Sequence, residues 1–501
     1  MRNLSTQLDF HARVRPDAEA LVYAGQRITW RGLQERVRQT AAGLAAAGVG
    51  ADTIVALMMK NSAATIELLY AISHLGAVSL PLNFRLSTDE VRYIVGHAGA
   101  ALIVADDAYR DTLADMPVPV HHLDEAAQRD SRAAFGGHGE RPAATRRDSG
   151  DLFRLMYTSG TTDRPKGVTH TYENFEAKNV DLAIALGLSA SDRLLVVGPL
   201  YHVGGCDLPG LAVHMMGGTI VLQRDYDAAA VLSAIAAEAI TGVWLAPVMM
   251  AGLLELDRSA VGDVSSLRWC IAGGERTPAT RIRAFAEAFP SARYVDAYGM
   301  TETVSGDTLM EAGYELDKIG SVGRPVRQVE VEIRDAEGLS LPPGEIGEVC
   351  MRGPKVTTGY WKDPERTDAA FFADGFLRSG DIGYLDADGF LFLTDRMKDM
   401  IISGGENIAS SEVERVLFEM PQVLDAAVVA MPDARWGEIP FAVVVPRPGQ
   451  EVTIDAIANH CEGRLARFKV PRKLLLVDAL PRNPSGKVLK RVLREMALDT
   501  G

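Results

Sequence analysis

The sequence predicts an α/β protein: a large N-terminal domain of helix-covered sheets with a β-rich subdomain, followed by a small mobile α+β C-terminal lid. Three observations predict it. In the N-terminal part, short apolar strands alternate with helical stretches, the rhythm of parallel sheets covered by helices. Residues 330–394 break that rhythm with short alternating strands between Gly and Pro turns. The last ~100 residues then carry helices and strands of their own, a normal size for a small domain. The expected division is residues 1–395 for the N-terminal domain, with its β-rich part at about 325–395, and residues 396–501 for the lid. At 501 residues the chain exceeds one ordinary core, and two or three domains are expected.

Taken in order, Leu8 to Pro16 reads as a short helix stopped by Pro16, and Ala20–Tyr23 with Arg27–Trp30 as a hairpin around Gly25. Leu33–Ala47 is a helix by the spacing of Leu33, Val37, Ala41 and Leu44, closed by Gly48. Ile54–Met58 is an apolar strand, Ser62–Leu75 a helix, and Ala77–Leu80 and Ala101–Val104 further strands. A polar connection over 130–150 precedes strands at Leu194–Gly198, Thr219–Leu222, Gly242–Leu245 and Trp269–Ala272. The β-rich part shows strands near 331–333, 348–351 and 390–393, and a charged connection, Asp395 to Asp399, ends it. In the lid, Ser411-Glu412-Val413-Glu414 reads as a capping box opening a helix to Glu419. Strands at 425–431 and 441–445, a helix over 454–465, a strand at 473–477 and a last basic helix follow.

Hydrophobic residues make up 47% and charged residues 24%, a globular balance. The net charge of −14 argues against a nucleic-acid partner. Cys206, Cys270, Cys350 and Cys461 are scattered without a C-x-x-C pair, which reads as free thiols in a reducing cytoplasm. The N-terminus lacks the charged-then-apolar design of a signal peptide. No apolar run reaches the ~20 residues that span a bilayer. A peripheral membrane contact and a homodimer stay open at this level.

The stretch that organises the chain is Tyr157-Thr158-Ser159-Gly160-Thr161-Thr162-Asp163-Arg164-Pro165-Lys166. Five small or hydroxylic residues let backbone N–H groups and hydroxyls close around an anion. Lys166 adds a compact charge on a flexible stem, suited to a phosphate tail. It is not a Walker-type loop, which requires a second Gly and a following Ser or Thr. Other stretches are short and ambiguous alone: Gly273-Gly274-Glu275, Asp296-Ala297-Tyr298-Gly299-Met300-Thr301-Glu302, Ser379-Gly380-Asp381, and Gly404-Gly405-Glu406-Asn407. In isolation the glycine pairs and Gly380-Asp381 are turn signals, and Glu302 a solvated acid.

Together and in this order they resemble the motifs of the acyl-adenylate-forming superfamily, which contains acyl- and aryl-CoA synthetases, peptide-synthetase adenylation domains and firefly luciferases. The resemblance covers nearly the whole chain. One position departs: Asp163 stands where the family usually carries Gly. The resemblance implies that Thr158, Ser159, Gly160, Thr161, Thr162 and Lys166 hold the phosphates of ATP, and that Glu302 holds Mg²⁺, which prefers oxygen ligands. It implies Thr301 at the α-phosphate, and Tyr298, within Asp296-Ala297-Tyr298-Gly299, stacked on adenine beside Gly273, Gly274 and Glu275. Asp381 and Arg396 would take the ribose, and Lys398 the hinge between domains. Gly404, Gly405 and Glu406 would line a tunnel for the pantetheine arm of coenzyme A. His202 would gate that tunnel from the acid pocket. Lys487, in a Pro-Ser-Gly loop, matches the catalytic lysine.

The expected activity is that of an ATP-dependent acyl-CoA synthetase: a carboxylic acid becomes acyl-AMP and is then passed to coenzyme A. The same motifs also fit a ligase passing its acyl group to a carrier protein or an amine, a luciferase-like oxygenase, or a non-catalytic nucleotide-binding regulator; retention of both Lys166 and Lys487 argues against the last. The acid pocket is expected from 202–206, 247–251 and 303–306, segments without Arg or Lys. An apolar monocarboxylate is the expected substrate.

Overall fold

The computed structural model describes residues 3–135, 141–158, 165–257, 262–273, 277–396, 399–403, 406–433, 435–482 and 488–499. Its N-terminal part is built on two sheets. One has six strands in the spatial order 120–123, 102–106, 54–58, 78–81, 152–158 and 166–171, parallel except for the last. The other has nine, in the order 324–325, 308–309, 293–298, 269–273, 242–244, 193–196, 219–222, 19–23 and 26–29, with a parallel centre and antiparallel edges.

The period-2 alternation of strand side chains sets the layers. In the strand Ile54–Met58, Ile54, Ala56 and Met58 pack outward with the helix Thr88–Ala98, through Val91, Ile94 and Val95. Val55 and Leu57 turn to the opposite face. In the nine-stranded sheet, Leu195 and Val221 pack outward against the helices Ala228–Ala237, Pro247–Leu254 and Ala279–Ala288, whereas Leu194, Val196, Ile220 and Leu222 turn inward. The inward faces of both sheets meet one shared core, filled by the helices Trp30–Ala46, Ala63–His74 and Tyr172–Leu186. This is a stack of helix, sheet, helix, sheet and helix layers, and it realises the predicted helix-covered sheets.

The β-rich part is a four-stranded antiparallel sheet, 330–334, 347–352, 377–385 and 391–396 in that order. Asp381, read alone as part of a turn, lies inside its third strand. The register shifts opposite 348–350, and Gly380 has a φ of +71°. A bulge with a left-handed glycine is turn-like locally yet belongs to a strand. The last strand also absorbs Asp395 and Arg396, which the sequence reading placed in a charged connection.

The C-terminal part is a five-stranded sheet of 401–403, 406–408, 423–433, 437–446 and 473–476. Helices Ser410–Leu417 and Ile454–Cys461 cover one face, and Lys490–Asp499 the other. The expected capping box at Ser411 does not form. The helix begins at Ser410 with Ala409 as its cap residue and no side-chain cap. The groups find tertiary partners: the Ser410 hydroxyl donates to Asp395 at 2.7 Å, the Ser411 hydroxyl donates to the Thr394 carbonyl, and Glu414 pairs with Lys490 at 2.8 Å.

Buried Trp244 lies against Gly198 and Gly204; a Cβ on either would come 2.6 Å from its ring. Its indole is the floor on which the turn carrying His202 rests. Trp244→Ala is expected to destabilise the fold by roughly 3–5 kcal/mol. Val248→Ala, at a residue 47% exposed, should change it by less than ~0.5 kcal/mol. Urea unfolding followed by tryptophan-independent circular dichroism checks both.

Candidate active site

The strand Leu152–Thr158 runs antiparallel to Lys166–Thr171, with Thr158 opposite Lys166. The connecting residues Ser159, Gly160, Thr161, Thr162 and Asp163 lie outside the described residues. At the base of this hairpin, Thr158 Oγ1 is buried and has no hydrogen-bond partner among the described residues. Lys166 Nζ lies 3.0 Å from Glu302 Oε1 and donates to Tyr360 Oη at 2.5 Å. Tyr360 Oη donates to the same Glu302 oxygen at 2.9 Å. The Lys166 ammonium also sits 4.0 Å from the centre of the Tyr360 ring, a cation–π distance. Burial, reinforced by the Glu302 charge, pushes the Tyr360 phenol up, so it stays protonated and remains a donor.

Glu302 is buried because of where its turn lies. The strand Arg293–Tyr298 ends, a single 3₁₀ turn spans Thr301–Thr303, and Val304, Ser305 and Gly306 then take φ values of 56°, 66° and 69°. A β-branched residue in the left-handed region carries strain of order 1–3 kcal/mol, so the surroundings must impose it. They do so with buried donors. Lys355 Nζ donates to the carbonyls of Ser305 and Gly306 at 2.8 and 2.6 Å and pairs with Asp307 at 3.1 Å. The Thr303 hydroxyl donates to Asp307. The Glu302 carbonyl accepts from Thr357 N–H at 2.7 Å.

From the other side, His170 Nε2 meets the Thr301 carbonyl at 2.7 Å. Arg154 donates to His170 Nδ1 at 3.0 Å, which makes Nδ1 the acceptor and puts the ring proton on Nε2. Burial, with Arg154 alongside, pushes the His170 ring down to about 3, so it is neutral. Arg154 is anchored by Asp207 at 2.7 Å, and Lys178 stands 3.6 Å from the same carboxylate. Burial opposes ionisation of Asp207, yet Arg154 and Lys178 hold its carboxyl below the usual range.

The other expected residues fall around this turn. Tyr298 Oη donates to Asp381 Oδ2 at 2.8 Å, joining the expected adenine and ribose residues. Arg396 opposes Asp381 across the strand pair; its side chain lies outside the described residues. Asp296 is buried and accepts from the Ala297 N–H at 3.1 Å. Gly273 pairs with Ala297 in parallel register, and a Cβ there would come 2.6 Å from the Ala297 carbonyl oxygen. Gly299 is equally confined, with Gly306 N 2.4 Å from an added Cβ. Both glycines thus answer to neighbouring backbone rather than to open space for a ligand. Gly274 and Glu275 lie outside the described residues.

His202 caps the short helix Val203–Cys206, its Nδ1 accepting from the Gly204 N–H at 3.1 Å. In the expected acid-pocket segment 247–251, Met250 is fully buried core whereas Val248 is exposed, because the segment is a helix with one face on the sheet. The fold also brings a cation to it: Arg281 donates to the Pro247 carbonyl at 3.1 Å. In the C-terminal part, Glu406 lies on the strand Glu406–Ile408, while Lys398, Gly404, Gly405 and Lys487 lie outside the described residues. The segment holding Lys487 springs from a paired base, Arg482 opposite Val488, and Arg482 is fixed by Asp425 at 2.7 Å.

The sequence reading passed over Tyr360, His170, Lys355, Arg154, Lys178 and Asp207. The aromatic pair Tyr360-Trp361 after Thr357-Thr358-Gly359 was a signal of a packed turn. The buried charges gave none, since charged residues are mostly exposed.

The donor set suits a magnesium nucleoside triphosphate. An ammonium and a phenol meet one carboxylate, and Mg²⁺ takes few protein oxygens when phosphates supply the rest. Among the described residues no three His, Cys, Asp or Glu gather as a metal cluster, and no helix is long and apolar enough to cross a membrane. Cys270, Cys350 and Cys461 are free and buried.

The model of the AMP-binding enzyme family matches residues 8–361, and that of the AMP-binding enzyme C-terminal domain residues 412–487. A feruloyl-CoA synthase of Amycolatopsis sp is 37% identical over 489 residues, 96% of each chain. A long-chain-fatty-acid–CoA ligase of Mycobacterium tuberculosis is 36% identical over 507 residues, 99% of this chain and 98% of the other. Among solved structures, o-succinylbenzoate CoA synthetase of Bacillus subtilis with its acyl-adenylate superposes with a TM-score of 0.88 at 32% identity, covering 99% of this chain and 98% of that one. ATP-bound MatB of Rhodopseudomonas palustris gives 0.91 at 30% identity over the whole of both chains. On its motifs, its fold and these relatives, the chain belongs to the AMP-binding enzyme family.

Proposed function

We propose the following division of labour for an ATP-dependent acyl-CoA synthetase that makes acyl-AMP and transfers the acyl group to coenzyme A. The observation that carries it is the meeting of Lys166, Glu302 and Tyr360, at one end of a segment whose other end is the Tyr298–Asp381 contact. That segment, 298–302, is short enough for one nucleotide to touch both ends.

Thr158 to Thr162 and Lys166 hold the outer phosphates, and Thr301 faces the α-phosphate. Glu302 holds Mg²⁺, which supplies charge neutralisation on the phosphates. Tyr298 stacks on adenine, within a wall formed by Gly273 to Glu275 and Asp296 to Gly299; Asp381 and Arg396 take the ribose hydroxyls. A carboxylate and a phosphate are both anionic, so positioning and charge stabilisation provide most of the acceleration. Lys487 steadies the charge spreading over the α-phosphate in the first step and is withdrawn for the second. The division into 1–395 and 396–501, with the swivel at Lys398, is part of this reading. So are the His202 gate and the pantetheine passage along Gly404 to Glu406. The unpaired cysteines support a cytoplasmic setting, and neither a homodimer nor a membrane contact is required.

The acid is read as an apolar monocarboxylate. The low charge of the segments 202–206 and 303–306 supports this, as do relatives named for ferulate and long-chain fatty acids. Relatives named for 2-succinylbenzoate, and Arg281 beside Pro247, mark a dicarboxylate as the competing outcome.

Two predictions follow from this division. Lys487→Ala should abolish ATP-dependent pyrophosphate release, yet largely spare thioester formation from supplied acyl-AMP and coenzyme A. Equal loss in both assays contradicts the assigned timing. Among acids of matched length, kcat/KM should be highest for apolar monocarboxylates and at least ~100-fold lower for a dicarboxylate, since a buried unpaired carboxylate costs several kcal/mol. A dicarboxylate that proves best would place Arg281 in the pocket.

A further inference from the structure

Lys166 is shared between Glu302 and, on the reading above, a phosphate chain. In the free enzyme its ammonium rests 3.0 Å from a carboxylate whose side chain is 6% exposed. Turning to a phosphate removes that partner, and an unpartnered buried carboxylate is costly. Some other donor must keep Glu302 in place until the metal is held.

We propose that Tyr360 is this positioning residue: its hydroxyl bridges Lys166 and Glu302 in the free enzyme and stays on Glu302 when Lys166 turns to the phosphates, keeping the carboxylate aimed at Mg²⁺. This rests on the reading of Lys166 as the phosphate ligand and Glu302 as the metal ligand. Among the described residues Tyr360 is the side chain that bridges both, accepting from Lys166 at 2.5 Å and donating to Glu302 at 2.9 Å. Its own place is independent of that pair. The backbone of Tyr360 bridges to Val168, and the Trp361 N–H donates to the Gly167 carbonyl at 2.7 Å. The Tyr360 N–H donates to the Thr367 hydroxyl at 2.9 Å. The strand that carries Lys166 therefore also carries the anchor of Tyr360, and the Thr357 N–H bonded to the Glu302 carbonyl belongs to the same segment. Loss of Lys166 from the pair moves neither.

The test is calorimetric ATP binding without acid, so that no chemistry occurs, with Mg²⁺ and with chelator. Wild type, Tyr360→Phe, Glu302→Gln and the double variant are compared. Mg²⁺ should tighten ATP binding by wild type, and Glu302→Gln should remove that gain. Tyr360→Phe should cut the gain by ~10-fold or more, the worth of a hydrogen bond to a charged group, while leaving metal-free affinity within about 3-fold. The double variant should bind no more weakly than Glu302→Gln alone, because Tyr360 acts through Glu302. A full Mg²⁺ gain in Tyr360→Phe, an equal loss with and without metal, or additive losses in the double variant would overturn the proposal. A Glu302→Gln enzyme that keeps the gain overturns the metal reading itself, which is a separate failure.

Discussion

The structure depends on a set of buried charges beneath the turn 300–307. Lys355 holds two carbonyls of that turn, neutral His170 holds a third, and Asp307, Asp207, Arg154 and Lys178 complete the ionic environment. None of these side chains is significantly exposed. A broken buried pair costs about 3–5 kcal/mol, so each member obliges the others to stay. The result is a turn with three consecutive left-handed residues, a conformation that local preference alone would not select. Through that turn the fold aims Glu302 at Lys166.

Everything nearby follows from it. Segment 357–361, between the second and third strands of the β-rich part, is stitched to the strand Lys166–Thr171 by the Thr357 hydroxyl, the Gly359 carbonyl and the Trp361 N–H. Within the candidate site Lys166 neutralises Glu302, and Tyr298 donates to Asp381. Glu302 and Asp381 thus each have a partner among the protein's own side chains. On the proposed reading a nucleotide would exchange partners with these side chains instead of assembling the site from loose groups, which limits the ordering cost.

Much of this was legible in the sequence. Strands such as Ile54–Met58 and Thr219–Leu222 are bounded by Gly and polar turns, and their apolar runs mark them directly. The phosphate loop, Tyr298, Glu302 and Asp381 stood out because several short motifs occur in one order, although each is ambiguous alone. The buried cations were not legible. Arg154, Lys178 and Lys355 look like surface residues until tertiary structure pairs them, because nothing local distinguishes a paired lysine from a solvated one. Asp381 reads as a turn because a bulge glycine precedes it. Ser411 and Glu414 have the spacing of a capping box, but Thr394 and Lys490 compete for them. Gly273 reads as a turn signal, whereas it ends a strand packed against Ala297, and Gly299 is confined by Gly306. Helix 247–254 hides Met250 because its one-sided burial is invisible in so apolar a run.

The central claim is that the buried charges build the Glu302 turn before any ligand arrives. Hydrogen exchange of the ligand-free enzyme measures this directly at the amides of Thr303, Val304, Ser305 and Asp307, which bond to Met300, Thr301, Met300 and Tyr298 carbonyls respectively. The account predicts protection in the free enzyme comparable to that of the neighbouring strand Arg293–Tyr298, with little further gain on adding ATP and Mg²⁺. Fast exchange at these amides that slows only on nucleotide binding would contradict it.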